Sequence, residues 1–243
     1  MAKTEIVTYE SELAKLAEMS VNAEKSSAGV SFITTSGGAM KYRDNPISGN
    51  SLEVVVLASP VERLYYTSRF DPTNSAPPVC FALGSTLTGL KPSHLSETVQ
   101  SELCESCPKN QWGSSTNGGK GKACSEKRRL FLMTSDSINT VDSVGVAEVA
   151  ALRIPVTSVK GFATYVQTVA STVKRPLAGV VTKVSLVPDP KTQFKIQFTF
   201  VKAIEDIEII KALITRGERE MANAINEPST GEEVAAVPTS SKY

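Results

Sequence analysis

The chain of 243 residues has a single histidine, a single tryptophan and four cysteines, and its charges nearly cancel, with 26 Lys and Arg against 25 Asp and Glu. Each shortage excludes something. A Ser-His-Asp triad, a histidine-rich metal centre or a two-histidine phosphotransfer site would have to pass through His94. No window approaches the roughly 18 apolar residues of a spanning helix, and the opening MAKTEIVTYESELAKLAEMS lacks the apolar core of a signal peptide, so a soluble, cytoplasmic protein without membrane partners is expected. Thiols stay reduced in that compartment, which makes the cysteines ligands or inert core residues before it makes them disulfides. A net charge of +1 announces no polyanionic partner, so any nucleic-acid surface must be a local patch. No carboxylate cluster marks a two-metal nuclease. GGKGK (Gly118–Lys122) fails the Walker pattern because Ala123 follows Lys122. Nothing in the sequence asks for an enzyme.

What is present reads as one α+β domain over residues 1–225. A helix is expected over the first 25 residues, capped by Thr8 or Ser11, with Leu13, Leu16, Ala17 and Val21 on one face. Val30–Thr35 and Ala39–Arg43 form a hairpin around Gly37-Gly38. Leu52–Phe70 is a long or bent strand in which Pro60 marks an edge, a bulge or a break. Residues 71–129 have little periodicity and read as an irregular insert. Strand character returns at Arg128–Thr134, and Phe162, Tyr165, Val166 and Val169 give Val159–Val173 a helical stripe. Val180–Val187 and Phe194–Val201 alternate on either side of Pro188-Asp189-Pro190, a clear hairpin signal. A helix runs from Ile204 to about Ile225, and the tail Asn226–Tyr243, without periodicity, reads as disordered. This order favours an antiparallel sheet or small barrel with flanking helices over a parallel βαβ fold.

The insert contains all four cysteines, Cys80, Cys104, Cys107 and Cys124. Cys104-Glu-Ser-Cys107 lets one short turn present two sulfurs to one ion, and two further thiols complete the tetrahedral set that Zn²⁺ prefers, with Zn–S near ~2.3 Å. Three readings stay open at this point: a structural zinc site, a redox pair, or inert buried thiols. His94 is an alternative to Cys80 as fourth ligand.

Charge is concentrated in the same insert. From Lys109 to Arg129, Lys109, Lys120, Lys122, Lys127, Arg128 and Arg129 face only Glu126, a net +5 in 21 residues, which leaves −4 for the rest of the chain. Cations localised in this way track a phosphate backbone. Trp112 lies within the run, with Tyr65 and Tyr66 before the first cysteine, and bases stack on such rings whatever their identity. Individually the aromatics serve a core equally well: one of Tyr65 and Tyr66 must point inward on a strand, and Trp112 can simply cover a metal site.

The run RLYYTSRFDPTNSAPPVCFA, followed by CESCPKNQWGSSTNGGKGKACSEKRRLFLM, resembles a set of phage-encoded proteins of replication and recombination modules. The resemblance covers mainly residues 63–134, with a looser echo from Ile154 to Val201. It implies an OB-like, zinc-containing protein that binds single-stranded DNA. On it Cys80, Cys104, Cys107 and Cys124 are zinc ligands, and Lys109, Trp112, Lys120, Lys122, Arg128 and Arg129 line the DNA path. Replication or recombination proteins are the implied partners, and an oligomer is compatible. Replicative proteins of this kind often end in a strongly acidic tail closing on an aromatic residue. Here Tyr243 is aromatic but Lys242 precedes it and the acidity is slight. The rival expectation is a zinc-ribbon module that docks on another protein of replication, transcription or the virion.

Overall fold

The computed structural model describes residues 30–67, 76–115 and 119–229. The chain divides into two compact units, residues 1–31 and 32–243, and the architecture below is that of the second. The helix expected over the first 25 residues and nearly all of the expected disordered tail lie outside the described residues.

Among the described residues ten strands form one sheet: β1 (Ser31–Thr34), β2 (Lys41–Tyr42), β3 (Asn45–Pro46), β4 (Ser51–Ala58), β5 (Val61–Tyr65), β6 (Cys80–Gly84), β7 (Cys124–Thr134), β8 (Ala150–Ile154), β9 (Val180–Asp189) and β10 (Gln193–Ala203). Their order is β10-β9-β4-β7-β8-β1-β2-β3, with β5 beside β7 and β6 beside β5. The pairs β4–β7, β4–β9, β5–β6, β5–β7, β7–β8 and β9–β10 are antiparallel. The class is therefore α+β, with an open, curled, antiparallel-rich sheet and few helices. Those helices are α1 (Val141–Val146), α2 (Val156–Thr168) and α3 (Ile207–Ile225). Among the described residues no helix is long and apolar enough to cross a membrane.

The expected bend in the strand from Leu52 falls at its proline. β4 ends at Ala58, β5 begins at Val61, and the β4–β7 register slips between Val56 and Ala58. β7 runs along both pieces. Its residues 124–128 pair with β5 and its residues 131–134 with β4, while the Arg129 amide donates to the Pro60 carbonyl at 3.1 Å across the break. Proline has no amide to donate but accepts, which suits it to such a bend.

The β9–β10 hairpin is longer than the expected one. β9 continues through Pro188 to Asp189, and Oδ1 of Asp189 accepts from the Lys191 and Thr192 amides at 3.0 and 3.1 Å. That local turn, closed by Gln193 at φ 66°, needs no second proline to form. α3 likewise begins later than Ile204. Asp206 is its N-cap, its carboxylate accepting from Glu208 and Ile209 amides at 2.8 and 3.3 Å, so Ile204 packs ahead of the helix.

One face of the sheet carries the larger apolar cluster, and Phe131 and Met133 are buried on the other. Val54, Val56, Leu130, Leu132, Leu152 and Ile154 alternate inward and meet Phe162 of α2. The α2 stripe is as expected: Phe162 sets its ring edge-on to Phe198, centroids 5.0 Å apart, and the Tyr165 hydroxyl shares a 2.6 Å hydrogen bond with Thr182. α3 approaches β4 closely because Gly217 has no side chain. A Cβ there would collide with the Leu57 carbonyl. The expected irregular insert is partly regular, since it supplies β6 and the N-terminal half of β7, and among its other described residues Pro108–Asn110 forms a 3₁₀ turn.

Candidate functional site

The two outer cysteines are strand residues in one row. Tyr65 at the end of β5 lies opposite Cys80 of β6 on one side and opposite Cys124 of β7 on the other. Directly opposed residues of antiparallel strands project to the same face, so both thiols flank Tyr65 on one face. The two inner cysteines come from the following turns. Cys104 is anchored by its amide, which donates to the Leu90 carbonyl at 2.9 Å, and the Cys107 carbonyl accepts from the Asn110 amide at 3.0 Å as Pro108 opens the 3₁₀ turn.

All four thiols are free, buried and on the wall of one cavity of about 20 Å³, which they share with Arg63, Tyr65, Lys109 and Ala82. That volume is about what one water-sized sphere occupies. Burial pushes the Cys104 and Cys124 thiols up to about 11, with Arg63 pulling the other way and the neighbouring cysteines adding to the rise. Among the described residues no three His, Cys, Asp or Glu side chains are grouped tightly enough to hold a metal ion as placed. Convergence and ligation are separate matters. The row across β6, β5 and β7 sets Cys80 and Cys124 two strand spacings apart, roughly 9.5 Å, and their sulfurs would have to lean over Tyr65 to reach one ion. As a donor set, four buried thiols around a cavity the size of one small sphere fit Zn²⁺. His94 is exposed and lines a different, open hollow with Leu83 and Lys91, so Cys80 and not His94 is the fourth side chain on this cavity.

A buried polar clasp holds the turn. Asn110 donates from Nδ2 to the Cys104 carbonyl at 2.7 Å, and its Oδ1 accepts from the Arg63 guanidinium and from Lys122 Nζ at 3.1 Å. Arg63 also pairs with Glu126 at 2.8 Å, linking β5 and β7 to the same clasp. Neither Arg63 nor Asn110 was singled out by the sequence reading. The available signal was that both lie inside the quoted motifs, Arg63 two residues before Tyr65 and Asn110 three after Cys107.

The basic run separates into three groups. Trp112 is 79% exposed, the Lys122 ammonium sits 5.5 Å from its ring centre, and Lys120 is exposed beside them. Their loop is closed by the Gly113 amide, which donates to the Lys120 and Gly121 carbonyls at 3.1 and 3.0 Å, with Gly113 at φ 85°. Lys109, Lys127 and Arg128 are half-buried. Lys109 lies 5.3 Å over the Tyr65 ring, and Arg128 donates to the Ser59 carbonyl at 3.0 Å. Arg129 is buried and paired with Glu62, and Tyr65 is buried between the thiols, so neither lines an open path. The reason is the pleat: with Arg128 on one face, Arg129 must project to the other. Tyr66 is half-buried with its hydroxyl enclosed.

A scan against protein-family models finds no match for this chain, and comparisons with curated proteins and with solved structures find none either.

Proposed function

We propose that this protein binds single-stranded DNA without sequence preference, as do proteins of phage replication and recombination, and that it does so without catalytic turnover. The observation that carries the reading is the juxtaposition of four thiols on one buried cavity with an exposed Trp112 flanked by Lys120 and Lys122 on the loop those thiols bracket. Cys80, Cys104, Cys107 and Cys124 would hold a zinc ion, a closed thiolate site that supplies folding energy and no open position for chemistry. The chain's own residues do the binding. Lys120 and Lys122 neutralise phosphates, Trp112 offers a face to a base, and the Asn110 clasp fixes the loop's base so that little ordering entropy remains to be lost on binding. The curled antiparallel sheet is compatible with an OB-like barrel, the architecture that the sequence resemblance implies for this activity.

An exposed tryptophan among cations also suits an acidic protein surface, the docking-module alternative. One titration separates the two, because the chain has a single tryptophan. Oligo-dT is added while Trp112 emission is followed at low and raised salt, before and after metal is stripped with a chelator. Saturable quenching that weakens steeply with salt and is lost with the metal is the expected result. A flat signal at low salt, with no shift in a native gel, would overturn the DNA reading in favour of protein docking.

A further inference from the structure

Most of the surface of α3 is occupied by its own fold, and one flank is not. Ile210, Leu213, Gly217, Glu220 and Ala224 recur at helical spacing and are buried, Gly217 against Leu57 of β4. On one side of that row Arg216 donates to the carbonyls of Val144 and Ala147 at the end of α1, both at 3.2 Å. On the other side lie Ile207, Ile214, Met221 and Ile225. Ile207 is 55%, Ile214 39% and Ile225 40% exposed, and Met221 is half-buried with its sulfur 3.7 Å from the Ser85 hydroxyl. Seven residues fall about 20° short of two helical turns, so Ile207, Ile214 and Met221 form one narrow stripe. Ile225, four residues further on, extends it to about 27 Å. Large apolar side chains in line on a surface mark a contact, where scattered ones would not.

The charges beside the stripe select what covers it. Lys211 and Glu218 are exposed along its outer side, one between Ile207 and Ile214 and the other between Ile214 and Met221. With Glu208 and Arg219, also exposed, the two cations and two anions cancel, so nothing draws this flank to an anionic lipid or nucleic-acid surface. A second α3 does fit. With a two-fold axis at Ile214, antiparallel copies set Ile214 against Ile214, and Ile207 against Met221 of the second copy. The same operation brings Lys211 of each copy beside Glu218 of the other. A parallel pair would oppose Lys211 to Lys211 and Glu218 to Glu218. Charge thus fixes both the partner and its direction. Lys211 pairs within its own helix with Glu208 at 2.8 Å, but both side chains are largely exposed, and such a pair does not hold it back.

We propose that the protein forms a homodimer by antiparallel packing of α3 on α3 of a second copy, along Ile207, Ile214, Met221 and Ile225. The proposal is independent of the DNA-binding reading of the Trp112 loop.

Sedimentation of the full chain over a range of concentrations, without DNA, tests it. A reversible monomer–dimer equilibrium is expected. Ile214→Lys sets two ammonium groups against each other on the axis and should weaken the dimer roughly tenfold or more. At dilutions where the parent is monomeric it should melt as the parent does, since the side chain is on the surface. Lys211→Glu and Glu218→Lys should each weaken the dimer roughly tenfold, because each turns two attractive pairs into repulsive ones. Made together they restore the pairs in reverse, and the dissociation constant should return to within about threefold of the parent's. A chain that is monomeric at every concentration, or a dimer indifferent to Ile214→Lys, would overturn the proposal. A double variant no better than the single ones would overturn the antiparallel pairing. Photoreactive benzoylphenylalanine in place of Ile214 identifies the occupant, and a crosslink to α3 of a second copy is expected. A crosslink to residues 1–25 of the same chain would overturn the dimer and give the stripe to that segment.

Discussion

The two halves of β7 share one backbone and have opposite chemistries. From Leu130 to Met133 every side chain is buried and apolar, packed between β4 and β8. From Cys124 to Arg128 the strand carries a thiol, a hydroxyl, a carboxylate and two cations, and it is flanked by β5. The apolar half needs nothing but the exclusion of water to hold it. The polar half is held by matched polar groups, the Arg63–Glu126 pair and the Ser125 hydroxyl donating to the Leu64 carbonyl at 3.2 Å. Such order depends on each polar group keeping its partner, a condition the apolar half does not have.

The sharpest way to break the comparison is to cut a cavity in the apolar half. Phe131 is fully buried, and Phe131→Ala should cost about 3–5 kcal/mol by lost burial and an uncollapsed void. Ser125→Ala in the other half should cost no more than about 1 kcal/mol, the net worth of one neutral hydrogen bond. Urea denaturation of both variants decides it. Equal losses would mean that the two halves are one packing unit, held by the same forces.

The next effect is on the charged face where β5, β7 and β8 meet. Burial raises the Glu62 carboxyl, but Arg129 and Arg153 outweigh it by charge and hydrogen bonding, and the net shift is below the ordinary value of 4.5. A carboxylate held low in the folded state contributes stability that is fully present above its unfolded value. That contribution is lost as pH falls below about 4.5 toward the folded value. Glu62→Gln leaves two arginines facing a neutral amide and should cost about 3 kcal/mol or more at neutral pH, the usual penalty for breaking a buried pair. It should also flatten the stability profile below pH 4.5. A profile as steep as that of the parent chain would place the acid-sensitive group elsewhere.

How far these features were legible beforehand follows from which forces are local. The β9–β10 alternation, the α2 stripe and the break at Pro60 are short-range patterns, and each appears in the structure, with β9 running two residues into the expected turn. The strand status of Cys80 and Cys124 was not legible, because it depends on both pairing with β5 from opposite sides across segments of very different length. α1 was missed for a similar reason: six residues with an inner glycine carry too little periodicity, and its anchors lie 69 to 72 positions away, where Arg216 of α3 binds the carbonyls of Val144 and Ala147 at 3.2 Å. The basic run was visible as charge, but charge is counted along the chain and exposure is not. Only the pleat separates Arg128 from Arg129, and only the closing of the loop at Gly113 leaves Lys120 and Lys122 outside.

That last division yields the smallest effect on stability and the most selective one on binding. Lys120 and Lys122 are exposed, and the one hydrogen bond at stake is from Lys122 to Asn110, whose Oδ1 keeps the Arg63 donor. Lys120→Ala with Lys122→Ala should therefore leave the denaturation midpoint within about 0.5 kcal/mol of the parent, as surface changes do. On the DNA-binding reading the same pair removes two phosphate contacts. The slope of log affinity against log salt should then fall by about 1.4 units, at roughly 0.7 per contact on a single strand, and equally for oligo-dT and a mixed sequence. Lys127→Ala is the control from the half-buried group. If the sheet-borne cations carry the binding, it will flatten the salt slope and the loop pair will not, which would move the interface from the Trp112 loop to the face of the sheet.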